Sequence, residues 1–108
     1  MPSFGRTLAD ARRQAGLSQR ELAARILKDD GEPISPQYLN DLERDRRNPP
    51  SPTLLKQFAA ALNLPTDYLD FLAGQLPDDL RSGNYAPEEV AAAFHAFRRS
   101  LGSGGPTR

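Results

Sequence analysis

The chain has 108 residues, with 14 basic and 14 acidic side chains, a single histidine and no cysteine. That length suits one domain with a short appendage and one modest core, and the missing cysteine together with a lone His95 excludes disulfides and thiolate or histidine metal clusters, so no metal or cofactor is expected. No apolar run approaches the roughly 20 residues of a membrane span, and Met1–Asp10 lacks a basic stretch followed by an apolar one, so a cytoplasmic setting without a membrane partner is expected.

Phe4, Leu8, Ala11 and Ala15 recur at helical spacing, and Gly16 ends the run. Ser18 opens a second helix with Glu21 three residues on, a capping box, and Leu22, Ala23, Ile26 and Leu27 supply its apolar face. Lys28 to Pro33 is a polar loop by composition. Ser35-Pro36 begins a third helix, with serine as cap and proline where its missing N–H costs nothing. Leu39 and Leu42 face inward, with Tyr38 partly so, and the helix is expected to end near Arg44 or Asp45. Ser51-Pro52 repeats the start signal before a stripe of Leu54, Leu55, Phe58, Ala59 and Leu62 that Asn63 caps. Thr66 opens a short fifth helix holding Tyr68, Leu69, Phe71 and Leu72. Leu76 to Tyr85 reads as a polar connector, and Pro87 starts a sixth helix. That helix carries one apolar seam of Val90, Phe94, Phe97 and Leu101. Gly102 to Arg108 reads as a flexible tail, and no segment shows strand alternation.

Net charge is zero, and residues 1–56 carry +2 against −2 for residues 57–108. The one dense basic cluster is Arg44, Arg46 and Arg47. It follows two short helices: Leu17-Ser18-Gln19-Arg20-Glu21-Leu22-Ala23, then Ser35-Pro36-Gln37-Tyr38-Leu39-Asn40-Asp41-Leu42-Glu43-Arg44, then Arg46-Arg47-Asn48-Pro49-Pro50. In order and context this resembles the Cro/C1-type (XRE) helix-turn-helix family over residues 4–73. The resemblance implies an all-α fold with a five-helix, lambda-repressor-like DNA-binding domain over 4–73, and the helical pattern beyond it reads as a short C-terminal helical extension over 74–101.

The resemblance makes the third helix a recognition helix, whose N-terminal residues reach base edges in the major groove of double-stranded DNA. Pro36, Gln37, Tyr38, Asn40 and Asp41 fall on its first two turns. Gln37 is the best reader, since a carboxamide pairs in two places with adenine; Asn40 is capable of the same or of pointing along the backbone. Tyr38 suits a thymine methyl, and Asp41 can only accept, for example from cytosine N4. Gln19 holds the position that bonds a phosphate in the family, and Arg44, Arg46, Arg47 and Asn48 suit phosphates too. Arg12 and Glu43 stand where the family has a partly buried ion pair tying the first helix to the recognition helix.

Two departures stand out. The stretch from Ala23 to Ser35 is about six residues longer than the roughly four-residue turn of the motif, so either the second helix is longer or the turn is a loop. Asp45 stands where the family usually has glycine, and aspartate tolerates the left-handed conformation better than most residues.

The seam of Val90, Phe94, Phe97 and Leu101 is expected to pack on its own domain, on a second copy as a dimerisation helix, or on another partner. His95 and the pair Asp78-Asp79 read as solvated surface, and no nucleophile–base pair points to catalysis. The functional expectation is a transcriptional regulator, a repressor acting as a homodimer on a palindromic operator, in a bacterial or phage-type nucleoid setting. The alternative is an antitoxin-like protein whose main partner is another protein, with DNA binding for autoregulation.

Overall fold

Four serines set where the helices of the N-terminal half begin, each accepting a hydrogen bond from the backbone N–H three residues on. In the computed structural model, which describes residues 1–103, Ser3 caps α1 (Phe4–Gln14) and Ser18 caps α2 (Gln19–Ala23). Ser35 caps α3 (Pro36–Glu43) and Ser51 caps α4 (Pro52–Leu62), both with proline in the first turn. Such a cap satisfies a backbone donor that the helix itself leaves unpaired, for about 1 kcal/mol. Gly16, at φ +74°, and Asn63, at φ +56°, take the left-handed conformation that ends α1 and α4. The chain continues through α5 (Thr66–Leu72), α6 (Asp78–Arg81), α7 (Pro87–Arg98) and a π-helical turn over Arg99–Ser103. Residues 104–108, most of the expected tail, lie outside the described residues.

The core is built by the first five helices together with Ile26 and Ile34 of the connection between α2 and α3. Leu8, Leu22, Ile26, Leu39, Leu42, Leu55, Phe58 and Leu69 are fully buried, and α3 packs against both α1 and α2. Burying each such side chain contributes about 1.5–3 kcal/mol, so the orientation of α3 is fixed by the same contacts that fold the domain.

The structure corrects the expected apolar face of α2. The helix stops at Ala23, and Ile26 and Leu27 lie beyond it. Ile26 is buried from an extended segment, while Leu27 is largely exposed and bridges antiparallel to Pro33. Lys28 N–H donates to Glu32 C=O (2.8 Å), and Ile34 N–H donates to Ile26 C=O (2.9 Å). The surplus residues therefore loop out as a small hairpin whose two feet meet. Gln57 of α4 clamps one foot, its Oε1 accepting from Leu27 N–H (2.7 Å) and its Nε2 donating to Leu27 C=O (2.8 Å). Despite the long connection, α2 and α3 pack against one another.

A second correction concerns residues 76–85, read as connector, which contain the one-turn helix α6. Lys56 Nζ reaches Asp78 at 2.6 Å and ties α6 to α4, and Arg81 pairs with the same carboxylate. Those two cations hold the Asp78 carboxyl below its ordinary range. Nearby Asp70 is buried, and desolvation with the Asp78 charge pushes its carboxyl up. On α7 the seam stays largely uncovered: Val90, Phe94, Phe97 and Leu101 are 41, 42, 44 and 57% exposed. An edge-to-face contact between Phe97 and Phe71 of α5, ring centroids 6.0 Å apart, leans α7 on the domain. Between α5, α6 and α7 lies an apolar groove of about 660 Å³, lined by Phe71, Leu76, Leu80, Phe94 and Phe97 among others.

Candidate nucleic-acid interface

Helical periodicity divides α3 into two faces. Leu39, Leu42 and Glu43 are buried, while Pro36 and Gln37 are exposed and Tyr38, Asn40 and Asp41 half-buried. The Gln37 carboxamide donates to Asp41 Oδ1 (3.1 Å) one turn on, which holds both side chains on the solvent face. Arg44, Arg46, Arg47 and Asn48 are exposed at the end of the helix and just beyond it. Arg47 folds back so that its guanidinium sits 5.0 Å from the centre of the Tyr38 ring. Among the described residues, Arg44 and Arg46 make no ion pair. The helix therefore offers amide, phenol and carboxylate groups along one face and unneutralised cations at its end.

What holds this surface is an interior polar network. Arg12 of α1 meets Glu43 of α3 through two parallel bonds, Nε to Oε2 at 2.6 Å and Nη2 to Oε1 at 2.9 Å. Its remaining nitrogen, Nη1, donates to Leu17 C=O (3.0 Å), so one guanidinium joins α1, the turn and α3. The hydrogen bonds to Glu43 raise the Arg12 pKa above its ordinary value. Gln19, at the start of α2, donates from Nε2 to both Glu43 Oε1 (2.9 Å) and Asn40 Oδ1 (3.1 Å). The amide expected at a phosphate thus turns into the protein, and Gln19 is half-buried.

The end of α3 is closed by Asp45 at φ +57°. Asp45 N–H donates to Leu42 C=O (3.1 Å) and Arg46 N–H to Asp41 C=O (2.8 Å), a Schellman closure built without glycine. The Asp45 carboxylate then caps α1, accepting from Ser3 Oγ (2.6 Å) and Gly5 N–H (2.9 Å). Sequence reading passed over this role because the partners lie 40 or more residues apart. It also passed over Gly5, whose one signal was its place inside a helical pattern, where glycine costs stability. Gln57 was passed over as well, its partner Leu27 lying 30 residues away.

A family model described as helix-turn-helix matches residues 8–69, more than half of the chain. The chain belongs to the Cro/C1-type (XRE) helix-turn-helix family. This helix-turn-helix chain is 39% identical over 67 residues to the HTH-type transcriptional regulator ImmR of Bacillus subtilis (strain 168). The match covers 62% of this chain and 47% of ImmR, so the chain spans about half the length of that relative. Among solved structures, it is similar to SinR, a master regulator for biofilm formation crystallised in complex with DNA: TM-score 0.51, 27% identity, 61% of this chain and 95% of that one. A SinR/SinI complex shares the fold over 90% of this chain and 98% of the other, with TM-score 0.52 and 21% identity.

Proposed function

We propose that this helix-turn-helix protein binds double-stranded DNA sequence-specifically and regulates transcription from an operator read in the major groove. The observation that carries the reading is the outer face of α3, where exposed Gln37 and Pro36, with Tyr38 and Asp41, precede the unneutralised Arg44 and Arg46. SinR, similar in fold and 27% identical, was crystallised in complex with DNA, which supports DNA binding here. Base edges fall to Gln37, Tyr38, Asp41 and the Pro36 edge; Arg44, Arg46, Arg47 and Asn48 take phosphates. Gln19 meets the backbone through its own N–H at the start of α2, its side-chain N–H groups being engaged inside. Repression in the cytoplasm is the mode proposed, because an occupied operator is closed to the transcription machinery.

Selection of bound sequences from a random DNA pool tests this. Gln37→Ala is expected to cost about 1–3 kcal/mol on the selected site and little on random DNA. Arg46→Ala is expected to weaken both alike and to reduce the salt slope by about one. Equal losses from Gln37→Ala on both DNAs would remove it from the readers.

We also propose a homodimer closed over the α7 seam. An exposed row of Val90, Phe94, Phe97 and Leu101 is the surface an isologous dimer buries, and a two-fold would set the recognition helices about 34 Å apart on a palindromic site. The same groove favours a second reading, an antitoxin-like protein docking another protein there while DNA binding serves autoregulation. Solution mass of the parent and of Phe94→Glu decides between them. A dimeric parent and a folded monomeric variant are expected; a parent that is monomeric both free and on DNA leaves the seam to a different protein.

A further inference from the structure

We infer that Asn40 is a positioning residue, pairing with Gln19 to lock the angle between α2 and α3, and does not itself read a base. This rests on the assignment of α3 to the major groove. Asn40 lies on the same turns as Gln37 and carries the same carboxamide, and sequence alone leaves open whether it reads a base as Gln37 does or points along the backbone. Their surroundings differ. Gln37 is exposed and, among the described residues, bonded along its own helix to Asp41. Asn40 is half-buried and bonded to another helix, through Gln19 Nε2 at 3.1 Å.

The orientation of both amides follows from charge. Glu43 is a carboxylate bonded twice by Arg12, so the Gln19 atom 2.9 Å from its Oε1 must be the NH2 nitrogen. That nitrogen has a second hydrogen, and the Asn40 atom facing it must then be the carbonyl oxygen. A two-point contact with adenine needs the asparagine oxygen to accept from N6 while its nitrogen donates to N7. One lone pair of the Asn40 oxygen is already held by Gln19, and that bond fixes the half-buried amide against α2 rather than leaving it free to turn onto a base edge. The continuous run from Arg12 through Glu43 and Gln19 to Asn40 instead joins α1, α2 and α3, and sets the pose in which Gln37 and Tyr38 are presented.

A double-mutant cycle on DNA tests the inference, using the full chain, its selected operator and a random duplex. Asn40→Ala is expected to weaken operator binding about tenfold in the parent and to add little once Gln19 is alanine, because the bond it removes is then already gone; the Gln19–Glu43 bond that Gln19→Ala also removes cancels in the cycle. Asn40→Asp keeps the acceptor for Gln19 and discards the donors a base would need. It is expected to select the same sequence as the parent, with a uniform loss of affinity from its added negative charge. In the free protein, the Gln19 side-chain NH2 is expected to exchange slowly with solvent in the parent and faster in Asn40→Ala, a readout independent of DNA. A loss from Asn40→Ala that stays about tenfold once Gln19 is alanine, with one base-pair position relaxed in both Asn40 variants, overturns the assignment and makes Asn40 a reader. A parent that selects no sequence at all overturns the DNA-reading proposal and the role of Asn40 with it, whatever the exchange rates show.

Discussion

Gly5→Ala is expected to cost the domain at least about 3 kcal/mol, enough to unfold much of it at ambient temperature. Propensity alone gives the opposite sign, since alanine is better than glycine inside a helix by about 1 kcal/mol. The packing decides. A Cβ on Gly5 would stand 2.4 Å from Leu42 O, 2.6 Å from Glu43 O and 2.7 Å from Asp45 Oδ1. Two of these are backbone atoms at the end of α3, and the third is the carboxylate that caps α1, so no rotamer change relieves the overlap. α1 would be pushed off α3, and the bond from Gly5 N–H to Asp45 would go with it. Urea unfolding followed by circular dichroism measures the loss, with Gly102→Ala, where the added carbon meets nothing within 4 Å among the described residues, as the control. A Gly5→Ala midpoint equal to or above the parent's would show that the close approach of α1 and α3 is not a constraint.

Glu43→Ala is expected to be as damaging, at about 3–5 kcal/mol, because it leaves the Arg12 guanidinium buried without its counter-charge. The pair is well shielded, with side-chain exposures of 10% for Arg12 and 4% for Glu43. Gln19 loses an acceptor in the same change. The intact pair need not be strongly stabilising, since desolvation of two ions offsets much of their attraction. Arg12→Met combined with Glu43→Leu is therefore expected to recover most of the stability that Glu43→Ala loses. Shielding also predicts that the cost of Glu43→Ala changes little between low and high salt. A loss under about 1 kcal/mol, or one that disappears in salt, would mean that the pair is effectively solvated.

Sequence reading located the N-terminal ends of α2, α3, α4 and α7 because those signals are local. A serine caps an N–H three residues away, and proline fixes its own φ wherever it stands. It failed at the C-terminal end of α2, where Ile26 and Leu27 continue the apolar pattern of a helix that has already stopped. Burial of Ile26 satisfies that pattern equally from an extended segment, and periodicity does not separate the two.

The sequence by itself determined an all-helical chain, the order and polarity of the five core helices, and the set of residues carried on α3. Each follows from interactions within one or two turns. Only the tertiary structure decided what those residues do to one another. Asp45 caps a helix that begins some 40 residues earlier, Gln57 clamps Leu27 across 30, and Gln19 captures Asn40 across 21. A polar side chain has many eligible partners, and the docking of helices, driven by burial of Leu8, Leu22, Leu39 and Leu42, chooses among them. The same docking closes the core without Phe94 and Phe97, and so leaves the α7 seam on the surface.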